Sequence, residues 1–293
     1  MIDEEVLRER IFERLRVRVQ QSGGFLTREE LSDFSMGDGT SRRLIDTSKG
    51  IWNPRDLVAT LSIVSSPDGP YDDQQLSGGR FRYDYRAGST DGDNTKLRRA
   101  GELGVPLIWL RKFQVNKYIP VFPVYVVEDD PHRRQFLVAI EDAGRLLLSQ
   151  TNPSELERRY VERMTRHRLH QAMFRGMVID AYDVRCAVCR LRHGDLLDAA
   201  HIVADREETG LAIVTNGISL CKIHHAAYDR DLLGVSGEYV IHINERLLAE
   251  TDGPMLKHGL QEMHGQLLTV PRHTTSRPDT ARLNTRFAQF AAS

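Results

Sequence analysis

The 293-residue sequence is poor in cysteine: it has only three, Cys186, Cys189 and Cys221, all within one short stretch. That scarcity excludes a disulfide framework and sets the expectation of a reducing compartment. No apolar run approaches the length of a membrane span, and the opening Met1-Ile-Asp-Glu-Glu5 is acidic, so a helix is expected there rather than a signal peptide. Net charge is also missing. At −1 the chain is no bulk polycation, and any hold on nucleic acid must come from a local concentration of charge. Internal repeats and low-complexity tracts are absent as well. The length suggests two domains with ample core.

The three cysteines are the key to what is there. Cys186-x-x-Cys189 and Cys221-x-x-His224 form two pairs with the spacing of a structural zinc site, four thiolate and imidazole donors for one tetrahedron. A second set of chemistry-bearing residues is threaded through the same stretch. Asp198-Ala-Ala-His201-Ile202 reads as the end of a short strand, Asn216 to Leu220 as a loop leading back, and Ile223 to Tyr228 as the start of a helix. His225 and Asp229 are four apart, so they share one face of that helix and suit a common divalent cation.

On His201, Asn216, His225 and the Cys/His knuckle, the stretch resembles the HNH nucleases, the ββα-metal family. The resemblance implies that His201 is the general base, taking a proton from the water that attacks a backbone phosphate. It implies that Asn216 is an orienting residue and that His225 and Asp229 hold one divalent cation, Mg²⁺ or Mn²⁺. The residue types suit these roles. An imidazole with a pKa of about 6.5 accepts a proton at neutral pH, and a hard cation stabilises the charge of a pentacoordinate phosphate. One departure stands out: where many members carry Asp or His just before the base, this chain has Ala200, and Asp198 is the nearest carboxylate.

Local positive charge precedes the knuckle. Nine arginines against four acids fall between Glu157 and His193. Leu156, Tyr160 and Met164 recur every four residues, and Phe174, Met177 and Val178 follow, predicting one or two amphipathic helices. Arg166, Arg168 and Arg175 are the expected contacts to a DNA backbone; an ordinary solvated helix face is the alternative. The domain boundary is expected at the Asn152-Pro-Ser-Glu155 break, giving domains 1–150 and 151–293.

In the N-terminal part, residues 3–21 read as a charged amphipathic helix, and Thr27-Arg-Glu-Glu30 as a capping box opening a second. Strands are expected over 57–64, 81–85, 106–110, 118–127 and 136–140, the pattern of a small barrel or curled sheet. Gly69-Pro-Tyr71-Asp72-Asp73-Gln74, then Gly78, Phe81 and Tyr83, resemble the SRA domain, a PUA-like barrel that flips a modified cytosine into a pocket. The resemblance implies that Tyr71 and Tyr83 stack on the extruded base, with Asp73 and Gln74 at the position that reads its edge. Glutamine offers both donor and acceptor where the family has an acid, so the base face read here can differ. The competing reading makes the two tyrosines core aromatics. The barrel-then-HNH order also resembles a group of predicted bacterial restriction endonucleases of the McrA type.

The expected fold is therefore α+β: an SRA/PUA-like β-barrel with flanking helices, then a zinc-stabilised ββα-metal domain. The expected function is a cytoplasmic DNA endonuclease of bacterial type. It would cut double-stranded DNA bearing 5-methyl- or 5-hydroxymethylcytosine, with structural Zn²⁺, a catalytic divalent cation, no membrane partner and an open question of homodimer formation. Two alternatives remain: a zinc-stabilised DNA-binding protein without nuclease activity, and an HNH nuclease for unmodified or phosphorothioate DNA.

Overall fold

The computed structural model describes residues 4–66, 75–76, 80–85, 91–140, 155–204, 207 and 210–293. The chain divides into two compact units, Met1–Val19 with Phe25–Ala172, and Gln20–Gly24 with Met173–Ser293. The division falls inside a long helix; the expected break near residue 152 lies outside the described residues.

The first unit opens on α1 (Glu4–Gln21), whose buried positions Arg8, Ile11, Phe12 and Leu15 are spaced three and four apart, the period of one helix face. After β1 (Leu26–Thr27), the capping box starts α2 (Arg28–Ser32) as its sequence requires. The Thr27 hydroxyl accepts from the Glu30 amide at 3.2 Å, and the Glu30 carboxylate accepts from the Thr27 amide at 2.8 Å. There follow β2 (Phe34–Ser35), β3 (Ser41–Arg42), β4 (Ile51–Trp52), β5 (Ser62–Ser65), β6 (Gln75–Leu76), β7 (Arg80–Asp84), α3 (Asp93–Leu103), β8 (Leu107–Gln114), β9 (Lys117–Asp130) and β10 (Gln135–Ile140). Among the described residues, β1 and β4 to β10 make one sheet of eight strands, in the order β4-β5-β8-β9-β10-β7-β6 with β1 also on β9, while β2 and β3 pair apart from it. Only β5 and β8 run parallel, and α3 between them is the crossover helix such a pair needs. The sheet is a curled half-barrel, in keeping with the expected small barrel or curled sheet; among the described residues no pairing joins its edges, β4 and β6.

The centre of this unit contains an ion pair. Arg8 is 1% exposed, donates to the carbonyls of Pro106 (2.8 Å), Ala59 (3.1 Å) and Thr60 (2.9 Å), and pairs with Glu4 at 2.8 Å. Four acceptors satisfy the buried guanidinium, so α1 is tied to the sheet by charge as well as by Ile11 and Leu15. Arg8→Ala leaves three carbonyls and Glu4 Oε1 without the guanidinium that donates to them. The expected cost is on the order of 3 kcal/mol or more, read as a lower urea midpoint of unfolding.

The long helix α4 (Glu155–Ala181) leads into the second unit. There β11 (Leu197–His201) pairs antiparallel with β12 (Gly217–Cys221), and α5 (Lys222–Asp229) packs on both. Residues 217–220, expected as loop, are thus a strand; its burial throughout explains why no alternation betrays it. β13 (Leu233–Val235) pairs with β14 (Ile241–Ile243), and α6 (Glu245–Ala249), α7 (Pro254–Gly259) and α8 (Thr280–Ala291) close the unit. Its core gathers Phe174, Val178 and Ile179 of α4, Leu197 and Ala200 of β11, Ile218 and Leu220 of β12, Tyr228, and Leu283 of α8. Among the described residues, no helix is long and apolar enough to cross a membrane.

Candidate functional site

The knuckle forms where the ends of the hairpin meet. Cys186 and Cys189 lie on the turn after α4, Cys221 ends β12 and serves as N-cap of α5, and His224 sits in the first turn of that helix. One ligand atom from each of Cys186, Cys189, Cys221 and His224 lies within 4.8 Å of the others. The closest approaches are to His224 Nδ1, 3.1 Å from Cys221 Sγ and 3.5 Å from Cys186 Sγ, and the sulfurs of Cys189 and Cys221 stand 3.9 Å apart. Three thiols and one imidazole converging in this way fit a tetrahedral metal site. The donor chemistry agrees. Hydrogen bonds from Cys186 and Cys189 hold the Cys221 thiol far below its ordinary range despite its burial. Burial pushes His224 down, yet hydrogen bonds to Cys189 and Cys221 bring its pKa up to about 10. Binding a metal would displace that proton. His224 Nε2 donates to the Gly259 carbonyl at 2.7 Å, which fixes the ring and leaves Nδ1 facing the sulfurs. That carbonyl belongs to α7, well outside the stretch that carries the ligands, and a backbone acceptor has no signature in sequence.

His201 ends β11 half-buried, its ring stacked on Phe174 with centroids 3.9 Å apart and planes at 15°. Asn216 is fully buried at the other end of the hairpin's connecting segment. Its Oδ1 accepts from the Val203 amide (2.9 Å), and its Nδ2 donates to the carbonyls of Val203 (3.0 Å) and Leu211 (3.0 Å). One side chain therefore staples the backbone immediately after His201 to the strand that returns. Asn216→Asp would set a buried carboxylate oxygen against two carbonyls. A loss of about 3 kcal/mol or more is expected, measured by urea denaturation.

His225, Asp229 and Asp198 come together on the other side of α5's first turns. His225 Nε2 lies 3.4 Å from Asp229 Oδ2 and Nδ1 lies 3.6 Å from Asp198 Oδ2. Asp198 reaches this point because it is two residues from Ala200 and so shares its strand face. A carboxylate thus faces His225 from two positions before Ala200. Asp198 also meets Lys222 and, at 3.6 Å, Arg175. Burial works to raise its pKa, but hydrogen bonds to His225 and Lys222 and the charges of Lys222 and Arg175 hold it at about 2. The hydrogen bond to Asp198 in turn raises His225 above its usual value, against its burial.

The remaining sequence candidates lie elsewhere. Arg175 is turned inward, with Nη2 donating to the carbonyls of Gly194 (3.1 Å) and Leu197 (3.0 Å), so its guanidinium anchors α4 to β11 instead of facing solvent. Arg168 is exposed on α4; Arg166 lies in the same helix, its side chain outside the described residues. Tyr71, Asp73 and Gln74 also lie outside the described residues. Tyr83 is a core aromatic, 1% exposed, whose hydroxyl donates to the Gly50 carbonyl at 2.9 Å. Gly50 and Val64 line a cavity of about 430 Å³ together with Arg28, Asp46, Lys49, Ser65 and Lys112. Tyr83 therefore braces a wall of this cavity from behind.

Residues 186–236 match the HNH endonuclease family. No curated protein matches the chain in sequence. Among solved structures, the modification dependent TagI restriction endonuclease is 16% identical over 79% of this chain and 81% of its own, at a TM-score of 0.32. SUVH6 of Arabidopsis thaliana is 14% identical, covering 56% of this chain and 29% of that one, at 0.25. The type IV phosphorothioation-dependent restriction endonuclease ScoMcrA is 15% identical over 57% of this chain and 48% of its own, at 0.23. Superpositions this loose establish neither the fold nor the substrate of this chain. The HNH match, lying on the ββα unit and its knuckle, makes the chain an endonuclease.

Proposed function

We propose that the chain is a DNA endonuclease in which His201 activates water, His225 and Asp229 hold one divalent cation with Asp198 beside them, and the knuckle holds a structural zinc ion. The observation that carries this reading is the meeting of His225, Asp229 and Asp198 along one face of α5, in the same hairpin-and-helix unit whose strand β11 ends on His201. The cation would supply charge stabilisation at the scissile phosphate and at the departing oxygen. The protein's own work is to place the bases. His201 takes the proton of the attacking water, Asn216 fixes the backbone that follows it, and Asp198 orients His225 through Nδ1, leaving Nε2 on the side of Asp229.

The N-terminal unit, in this proposal, selects double-stranded DNA carrying a modified cytosine. The cavity beside Gly50 and Val64 supports it: it is polar, bordered by Arg28, Lys49 and Lys112, and backed by Tyr83, whose position the sequence pattern marks out. An extruded base needs such a recess, and basic side chains at its rim suit the phosphates on either side. The test is cleavage of matched plasmids, unmodified, 5-methylated and 5-hydroxymethylated at cytosine, in Mg²⁺ or Mn²⁺. Preference for a modified plasmid, lost in Tyr71→Ala, is the expected result. Equal cutting of all three would remove the modified-base assignment and leave the nuclease.

A further inference from the structure

The general base assigned above stands at the end of a strand, where an imidazole turns easily about its outer torsion, since that torsion has broad wells. In a β-ladder the partner opposite helps fix such a side chain, with Cβ atoms about 5 Å apart. The partner of His201 is Gly217, which has no side chain. The space is taken instead by Phe174 of α4. A Cβ built on Gly217 would stand 2.9 Å from Phe174 Cζ, 3.0 Å from Cε2 and 2.4 Å from Val178 Cγ2. The contacts at 2.4 and 2.9 Å are closer than real Cβ atoms come and the one at 3.0 Å is unusually tight, and the neighbours are packed core side chains: Phe174 is 2% exposed and Val178 is fully buried. The glycine is therefore what lets the phenyl ring slide beneath the imidazole.

We propose that Phe174 is a positioning residue for the general base, holding the plane of the His201 imidazole, with Gly217 as the vacancy that admits it. This rests on the reading of His201 as the base. The stack, 3.9 Å between centroids and 15° between planes, acts on the ring face. It therefore orients the imidazole without engaging either nitrogen, and a base must keep one nitrogen for the water it activates. The plate is itself located. The next residue, Arg175, donates to the carbonyls of Gly194 and Leu197, at the start of the strand that His201 ends. Two consecutive residues of α4 thus set the register of the helix against β11: one by hydrogen bonds at the strand's beginning, the other by a stack at its end. Both lie outside residues 186–236, so the HNH-matched stretch lacks the piece that aims its base.

The experiment uses the full chain and compares Phe174→Leu, Phe174→His and His201→Ala on one DNA substrate. Leucine keeps apolar volume and loses the flat face. Tyrosine is unsuitable as the conservative change, because Cζ points at Gly217 and leaves no room for a hydroxyl; histidine keeps a flat ring without one. Phe174→Leu is expected to lower kcat about ten- to a hundredfold with KM unchanged, the scale of effect a small misplacement of a reacting group produces. Phe174→His should recover most of that loss. In the unsubstituted protein, the ring protons of His201, assigned by their disappearance in His201→Ala, should resonate upfield through the ring current of Phe174. This last measurement tests the stack itself even if Phe174→Leu fails to fold. A wild-type kcat in Phe174→Leu, a loss that Phe174→His does not relieve, or His201 resonances without an upfield shift would each overturn the proposal. If His201→Ala itself cuts normally, the base reading falls and this inference with it. If His201→Ala is inactive and Phe174→Leu is fully active, only the positioning role falls.

Discussion

His201→Ala is expected to lose phosphodiester cleavage by between about a hundredfold and ten-thousandfold while keeping the metal of the knuckle and the fold of the unit. The magnitude is that of a general base removed from a reaction whose other contributions remain. The side chain is half-buried and stacks on Phe174, so its loss leaves a small gap at the strand end. It contributes no ligand to the Cys/His cluster. The backbone beyond it stays pinned by Asn216 at Val203. A single-turnover assay separates the chemical step from binding, and metal content with thermal melting reports on the fold. Normal cleavage in this variant would assign the base elsewhere.

Removal of the knuckle metal is expected to have the largest structural effect. Cys186 and Cys221 are members of the second unit's core as well as of the Cys/His cluster, so the site is part of the packing and not an appendage to it. A structural zinc ion in a small domain supplies roughly 10–16 kcal/mol of apparent binding energy. That is comparable to the whole stability of a typical domain, about 5–15 kcal/mol. Chelation, or Cys221→Ser, should therefore unfold the second unit outright. The chain offers a convenient distinction, because its two tryptophans, Trp52 and Trp109, both belong to the first unit. Trp109 is fully buried and donates to Ser65 Oγ at 2.9 Å. Chelation should collapse the helical circular dichroism of the second unit while tryptophan emission stays that of a buried indole. Retention of full ellipticity after complete metal removal would mean that the cluster is dispensable for folding.

Much of this was legible in the sequence because the signals were local. The Cys-x-x-Cys and Cys-x-x-His pairs brought four donors into one cluster. The capping box at Thr27 formed on its own residues, and the strands over 81–85, 118–127 and 136–140 appear with ends shifted by a few residues at most. What stayed hidden depends on tertiary geometry. Phe174 sits in a helical apolar pattern and looks like any core position; its role exists only because Gly217 leaves space opposite His201. Arg175 counted with the arginines of an outward face, yet its guanidinium faces two carbonyls and Asp198. The meeting of Asp198 with His225, at 3.6 Å, follows from the strand's period of two, which puts Asp198 on the face of Ala200. The brace on His224 comes from a backbone carbonyl, Gly259, that any residue would provide.

The central claim is that this hairpin-and-helix unit hydrolyses DNA with a divalent cation. The most direct measurement is the conversion of supercoiled plasmid by the purified full chain, in Mg²⁺, Mn²⁺ or EDTA, followed on a gel that also resolves bound from free DNA. Nicked or linear product with Mg²⁺ or Mn²⁺ and none with EDTA is the predicted result. DNA bound and shifted but uncut in both cations, or cut equally in EDTA, would contradict it.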